Sequence, residues 1–113
     1  LVNEIKTLLP SKSNEYQNWQ IKHQFHRGGY AKFSPLDAER IRHFSTAVAI
    51  NFEPVYTGKM ILALLDLIEA GYFPAHHRIV LLHTGGLQGL GGMFERGLLN
   101  QDEWPSLPVP PVL

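Results

Sequence analysis

The sequence contains no cysteine, which excludes a disulfide scaffold and a thiolate zinc site. It has no excess of either charge, since ten Lys+Arg balance ten Asp+Glu. Nucleic acid and anionic membranes are attracted by a basic field, and this chain has none. No apolar run approaches the roughly 20 residues that cross a bilayer. The first residues carry no cationic-apolar leader. The expectation is a cytoplasmic chain with neither a nucleic-acid nor a membrane partner. Six histidines are present, but His23 and His26 flank a strand end and His76-His77 are adjacent in a polar turn, with no carboxylate cluster beside them. Adjacent residues on extended chain point to opposite sides, so no metal site is expected.

The 113 residues and 44% hydrophobic content fit one domain with a modest core. "LVNEIKTLL" (1–9) places Leu1, Ile5 and Leu8 on one helical face, and Pro10 ends it. "WQIKHQF" (19–25) alternates as a half-buried strand does, and Gly28-Gly29 breaks it. In "SPLDAERIRHFSTAVAI", Ser34 is placed to cap a helix, Pro35 takes its first position, and Asp37 follows three residues after the cap. "TGKMILALLDLIEAG" predicts a second helix over 58–70, capped by Thr57, stopped by Gly71, and apolar around most of its circumference. "RIVLLH" (78–83) reads as a central parallel strand. A further helix is expected across 87–99, and residues 104–113 form a proline-rich extended tail. This order of strands and helices predicts a single α/β segment over residues 1–113.

"LLHTGGLQGLGG" (81–92) packs five glycines into its last eight residues. Glycine clusters mark positive φ or close approach to the backbone. In open α/β sheets ligands collect beyond the carboxyl ends of strands, where "HTGG" lies. The dinucleotide pattern fails here, because its last position is Phe94, and the P-loop lysine is absent. On pattern alone, a ligand site and a structural turn both remain open.

Three ordered blocks carry a resemblance. Gly29-Tyr30, "PVYTGK" (54–59) and "HTGG" (83–86) make residues 19–92 similar to the C-terminal part of the 1-aminocyclopropane-1-carboxylate deaminase / D-cysteine desulfhydrase family. The resemblance implies a tryptophan-synthase-β-like fold of type II, in which this chain is the C-terminal portion of a three-layer parallel-sheet domain. It implies pyridoxal 5'-phosphate as cofactor and a small amino acid as substrate, with ammonia released. Tyr56 matches a tyrosine beside the cofactor ring, and Tyr30 matches a second substrate-side tyrosine, so both are the expected catalytic residues. Cofactor contacts are expected from Tyr56, Thr57, Thr84, Gly85 and Gly86, with the Thr84 hydroxyl suited to donate to the pyridine nitrogen. Tyr30 and Tyr56 read equally as packing aromatics, and Thr84 as a helix cap.

One departure separates this chain from the deaminases of the family. They carry Glu after the tyrosine, where Thr57 stands here. A carboxylate there would keep the pyridine nitrogen protonated and the electron sink strong. Its absence favours desulfhydrase-like β-elimination over opening of a cyclopropane ring. The family's cofactor-linking lysine and phosphate loop match no block of these residues, so this chain is expected to be inactive alone. The apolar circumference of the second helix leads to the expectation of a homo-oligomer. The competing reading is a non-catalytic α/β interaction module, or one that binds an anion at the 83–89 glycine turn.

Overall fold

The computed structural model describes residues 2–8, 18–102 and 104. Within them lie four helices: α1 (Val2–Leu8), α2 (Pro35–Val48), α3 (Thr57–Glu69) and α4 (Gly89–Glu95). The expected start of the first helix, Leu1, lies outside the described residues, as do residues 105–113 of the tail.

Helix α2 begins as its sequence dictates. The Asp37 backbone N–H donates to Ser34 Oγ at 3.0 Å, and the Ser34 N–H donates to Asp37 Oδ2 at 3.1 Å. With Pro35 in the first turn this is a full capping box, and loss of such a cap costs about 1 kcal/mol. Helix α2 ends at Ala49, held in the left-handed region at φ 57°.

Helix α3 starts one residue before the expected 58–70 span, and Thr57 is not its cap. Tyr56 holds the cap position without a side-chain bond. The reason is Glu53, whose carboxylate already accepts from the first backbone N–H groups. Gly71, at φ +70°, stops the helix as expected. Ile61, Leu62 and Leu64 are buried, but Ile68 is 52% exposed, so only part of the apolar circumference is covered.

Helix α4 is shorter than the expected 87–99, with Gln88 at its cap position. Three of its seven residues are glycine, and each costs about 1 kcal/mol relative to alanine in a helix. Leu90 and Met93 anchor it.

The core joins Ile41 of α2, Ile61 and Leu62 of α3, Leu90 and Met93 of α4, Phe52 from the α2–α3 connection, and Leu99 and Trp104 from the chain after α4. Each fully buried aliphatic side chain contributes roughly 1.5–3 kcal/mol. Among the described residues no strand forms. Residues 78–86 carry no regular structure, and the turn that leads to Gly28-Gly29 already begins at Gln24. A strand is stabilised by its neighbours, and neither predicted run has one to pair with. Among the described residues no helix is long and apolar enough to cross a membrane.

Candidate functional site

Glu53 organises the "PVYTGK" block from beneath. It is 1% exposed. Its Oε2 accepts from the Val55 N–H at 2.6 Å, and its Oε1 accepts from the N–H groups of Tyr56 (3.0 Å) and Thr57 (2.8 Å). The Thr57 hydroxyl donates to the same oxygen at 3.1 Å. Thr57 is itself buried, so its hydroxyl is committed to Glu53. The N-terminus of α3 attracts a negative group, and the chain supplies one from four residues upstream. The chain then passes so close that the Gly58 N–H meets the Glu53 carbonyl at 2.6 Å. A Cβ on Gly58 would sit 2.5 Å from that oxygen and 2.7 Å from Ile41 Cδ1, so only glycine fits.

The "HTGG" block is held by the three residues that precede Pro54. His83 Nε2 lies 2.8 Å from the Asn51 carbonyl, and Nδ1 accepts the Gly85 N–H at 3.0 Å. With Nδ1 accepting, the proton sits on Nε2 and is donated to Asn51. The ring stacks on Phe52, with centroids 5.0 Å apart. Gly85 and Gly86 follow at φ +93° and +95°, a conformation that side chains rarely adopt. A Cβ on Gly86 would press on the Glu53 carboxylate at 3.2–3.3 Å, so the two blocks meet at this glycine.

The third block arrives on a turn, residues 26–31. Lys59 Nζ donates to the carbonyls of His26 (2.8 Å) and Gly29 (2.6 Å). Partial burial holds the Lys59 ammonium below the usual lysine range, against the pull of Asp37 and Glu53. Arg27 reaches Asp66 at 2.7 Å and Asp37 at 3.8 Å, while Arg40 takes the other Asp66 oxygen at 2.9 Å. Partial burial pushes the Asp66 carboxyl up, but the hydrogen bonds from Arg40 and Arg27 more than offset this and hold it below its ordinary value.

These anchors bring Tyr30 to Tyr56. The Tyr56 hydroxyl donates to the Tyr30 oxygen at 3.2 Å, and the rings are tilted with centroids 6.1 Å apart. Both tyrosines are exposed. The hydrogen bond with Tyr30 and the neighbouring charge of that group raise the Tyr56 hydroxyl above the ordinary tyrosine range. The pair stands at the mouth of a cleft of about 260 Å³, whose walls include Glu53, Gly86, Gly89, Met93 and Arg96.

Of the residues expected from sequence, Tyr30, Tyr56 and Gly86 line this cleft. Thr57 faces Glu53 behind it. Thr84 and Gly85 are exposed on the neighbouring turn. Thr84 does not cap α4, which starts five residues later at Gly89. The helix start on which the anion-binding reading of the 83–89 turn relied lies at Gly89, at the end of that turn, in a helix of seven residues. Sequence reasoning missed Glu53, His83 and Lys59 as organisers. The triplet "NFE" (51–53) before the proline was the available signal, since every one of its residues serves the glycine turn.

A paired-tyrosine cleft beside a glycine turn is a candidate small-ligand site, with aromatic side chains and bare backbone in its walls. Known proteins then give the family. A Pyrococcus furiosus protein provisionally named 1-aminocyclopropane-1-carboxylate deaminase is 33% identical over 95 residues, covering 79% of this chain and 28% of that protein. The 1-aminocyclopropane-1-carboxylate deaminase of Mesorhizobium japonicum is 37% identical over 62 residues, covering 52% of this chain and 18% of its own length. That of Methylobacterium nodulans is 40% identical over 48 residues, covering 40% and 14%. The chain thus carries a segment of the 1-aminocyclopropane-1-carboxylate deaminase family. It spans 14–28% of the length of these three relatives. No family model and no solved structure matches it.

Proposed function

We propose that this chain forms one wall of the pyridoxal-phosphate pocket of a lyase or deaminase that acts on a small amino acid and releases ammonia. The observation that carries this reading is the Tyr30–Tyr56 hydroxyl pair, 3.2 Å apart at the mouth of the cleft. The residues present fit one face of the cofactor. The exposed Tyr56 ring offers a flat aromatic surface, and Gly85 and Gly86 leave the backbone bare beside it. Thr84 is exposed and free to donate its hydroxyl to a ring nitrogen. When bound, the cofactor supplies an electron sink for a carbanion at the substrate α-carbon. The chain's own part is to orient and to protonate. Tyr56 keeps its proton at neutral pH and presents it next to a second hydroxyl.

Thr57 stands where the family's deaminases carry Glu, and the nearby Glu53 carboxylate is taken up by the N–H groups and hydroxyl that open α3, which favours β-elimination from a small amino acid over ring opening. Lys59, in the matched block, spends its ammonium on two carbonyls, so the covalent link to the cofactor belongs to a lysine elsewhere. The parallel sheet is part of the same proposal. Residues 78–83 become a central strand once another segment of an α/β domain pairs with them. Self-association has the same support, in the exposed Ile79, Val80 and Leu82.

The test is a chimera in which residues 19–102 replace the aligned segment of a longer relative that carries the cofactor-linking lysine. It should hold the cofactor's visible absorbance and release ammonia from a small amino acid with a β leaving group. Tyr56→Phe should lower its turnover at least tenfold with the absorbance kept, because only the hydroxyl is removed. Unchanged turnover in Tyr56→Phe would overturn the assignment. The chain alone, reduced with borohydride in the presence of pyridoxal phosphate, should yield no stoichiometric lysine adduct.

A further inference from the structure

We infer that Lys59 is a positioning residue whose ammonium clamps the strained 26–31 turn to the start of α3 and thereby sets Tyr30 against Tyr56. Its functional weight rests on the reading of the tyrosine pair given above, while the clamp itself does not.

Three observations converge. The turn is held in an unfavourable backbone conformation: Arg27, Gly28, Gly29 and Ala31 all have positive φ, at 56°, 94°, 129° and 58°. Arg27 and Ala31 carry side chains, so they keep this conformation only where the surroundings over-determine it. Within the turn, the Gly29 N–H donates to the His26 carbonyl at 3.1 Å, and the Lys32 N–H donates to the Gly29 carbonyl at 3.2 Å. Lys59 Nζ takes a second lone pair on each of these same two oxygens. It therefore grips both ends of the three-residue step before Tyr30.

Tyr30 has little else to locate it. It is 77% exposed, and among the described residues the one aromatic ring against it is that of Tyr56. The orientation of the Gly29–Tyr30 peptide decides where its ring goes, and the Gly29 carbonyl that Lys59 holds belongs to that peptide. The Arg27–Asp66 pair anchors the same turn farther from Tyr30. An ammonium suits the task, because it is a compact charge with three donors that can serve two carbonyls at once.

The chain has no cysteine, so a single introduced thiol can be alkylated selectively. Lys59→Cys removes the clamp, and treatment with 2-bromoethylamine restores a primary ammonium of nearly the original length. The readout is the pH titration of Tyr56, followed by NMR of ring-labelled tyrosine in the chain without cofactor. In the unsubstituted chain Tyr56 titrates above the ordinary range because Tyr30 is beside it. Lys59→Cys should lower it towards the ordinary range, as Tyr30→Phe should, and aminoethylation should raise it again. A titration that stays raised in Lys59→Cys with helical content kept would overturn the inference. In the unsubstituted chain, acetic anhydride should label Lys59 at least tenfold more slowly than the exposed Lys32 once each rate is divided by that lysine's own deprotonated fraction, because burial holds the Lys59 ammonium below the usual lysine range and enlarges its reactive fraction. Equal rates on that scale would overturn the clamp without any variant, and the outcome is independent of whether the chain meets a cofactor.

Discussion

The stretch Asn51–Lys59 and the stretch Arg78–Gly86 carry the two matched blocks that meet at the cleft, yet they are built in opposite ways. The first is closed on itself. Its carboxylate, four backbone or hydroxyl donors and one lysine find partners inside the chain. The second is closed only at its end, where His83 and Gly86 lean on Asn51, Phe52 and Glu53. Its apolar run stands open, with Val80 at 84% and Leu82 at 73% exposure. Short-range polar satisfaction can be completed within one segment, whereas a strand needs a neighbour. The same chain therefore fixes the tyrosine side of the cleft and leaves the glycine side supported from one direction.

The sharpest way to break the closed region is to fill Gly58. Gly58→Val pushes a side chain into the Glu53 carbonyl and Ile41, and overpacking of this kind costs about 3 kcal/mol. Gly85→Ala, on the open region, adds a Cβ that meets nothing within 4 Å. It bears only the backbone strain of its positive φ, about 1 kcal/mol. Urea unfolding followed by the fluorescence of the buried Trp104 should rank them in that order. Equal losses would mean that the two regions are equally constrained.

Glu53→Gln is the next test. The amide keeps the size but turns an –NH₂ towards backbone N–H donors. Losing hydrogen bonds to a buried charged acceptor should cost about 2 kcal/mol. Amide exchange at Val55, Tyr56 and Thr57 should accelerate, and the Gly86 signal should shift because that glycine rests on the carboxylate. Protection unchanged at these three amides would show that the carboxylate does not hold the turn.

What the sequence made legible follows the same division. The α2 start was readable because Ser34, Pro35 and Asp37 act within one turn. Gly71 was readable as a stop for the same reason. Tyr30 and Tyr56 were found through their blocks, and the structure brings their hydroxyls together. Glu53 was hidden because the Glu-Pro step reads only as extended chain, while its role depends on where Val55, Tyr56, Thr57 and Gly86 fold back. Thr57 read as a cap for want of that knowledge. Residues 87–99 overstated α4 because periodicity takes no account of three glycines in seven residues. The strands read from alternation and apolar run, at 19–25 and 78–83, do not form among the described residues, because period and hydropathy register a run's own pattern and not whether a partner lies beside it.

Acid should separate the tyrosine side from the rest. The Asp66 carboxyl is held below its ordinary value, despite partial burial, by Arg40 and Arg27. A depressed carboxyl contributes stability that is fully present above the unfolded value of about 3.9 and is lost as pH falls through the lower folded value. As pH falls from about 4 through that lower folded value, the Asp66 pairs should therefore release Arg27 and Arg40, and the 26–31 turn should loosen first. The Tyr30–Tyr56 ring contact, followed by NMR, should weaken in this window. Asp66→Asn should show the weakened contact at neutral pH and lose the acid transition. A contact that persists unchanged in Asp66→Asn would assign the anchoring of the turn to Lys59 alone.

The smallest expected effect lies on the open run. Val80→Lys places a charge where the side chain is already 84% exposed, so the folding free energy of the chain should change by less than about 0.5 kcal/mol. Its effect should appear in association instead. Exposed apolar surface drives contact in proportion to its area, and three such side chains stand at Ile79, Val80 and Leu82. Sedimentation at high concentration should show self-association of the unsubstituted chain and less of it in Val80→Lys. If Val80→Lys lowered the urea midpoint as far as Gly58→Val does, residues 78–82 would be covered in the state that unfolds. The open side of the comparison would then be closed by another copy or by the chain's own packing. If both midpoint and association were unchanged, the run would be covered neither by another copy nor by the chain's own packing.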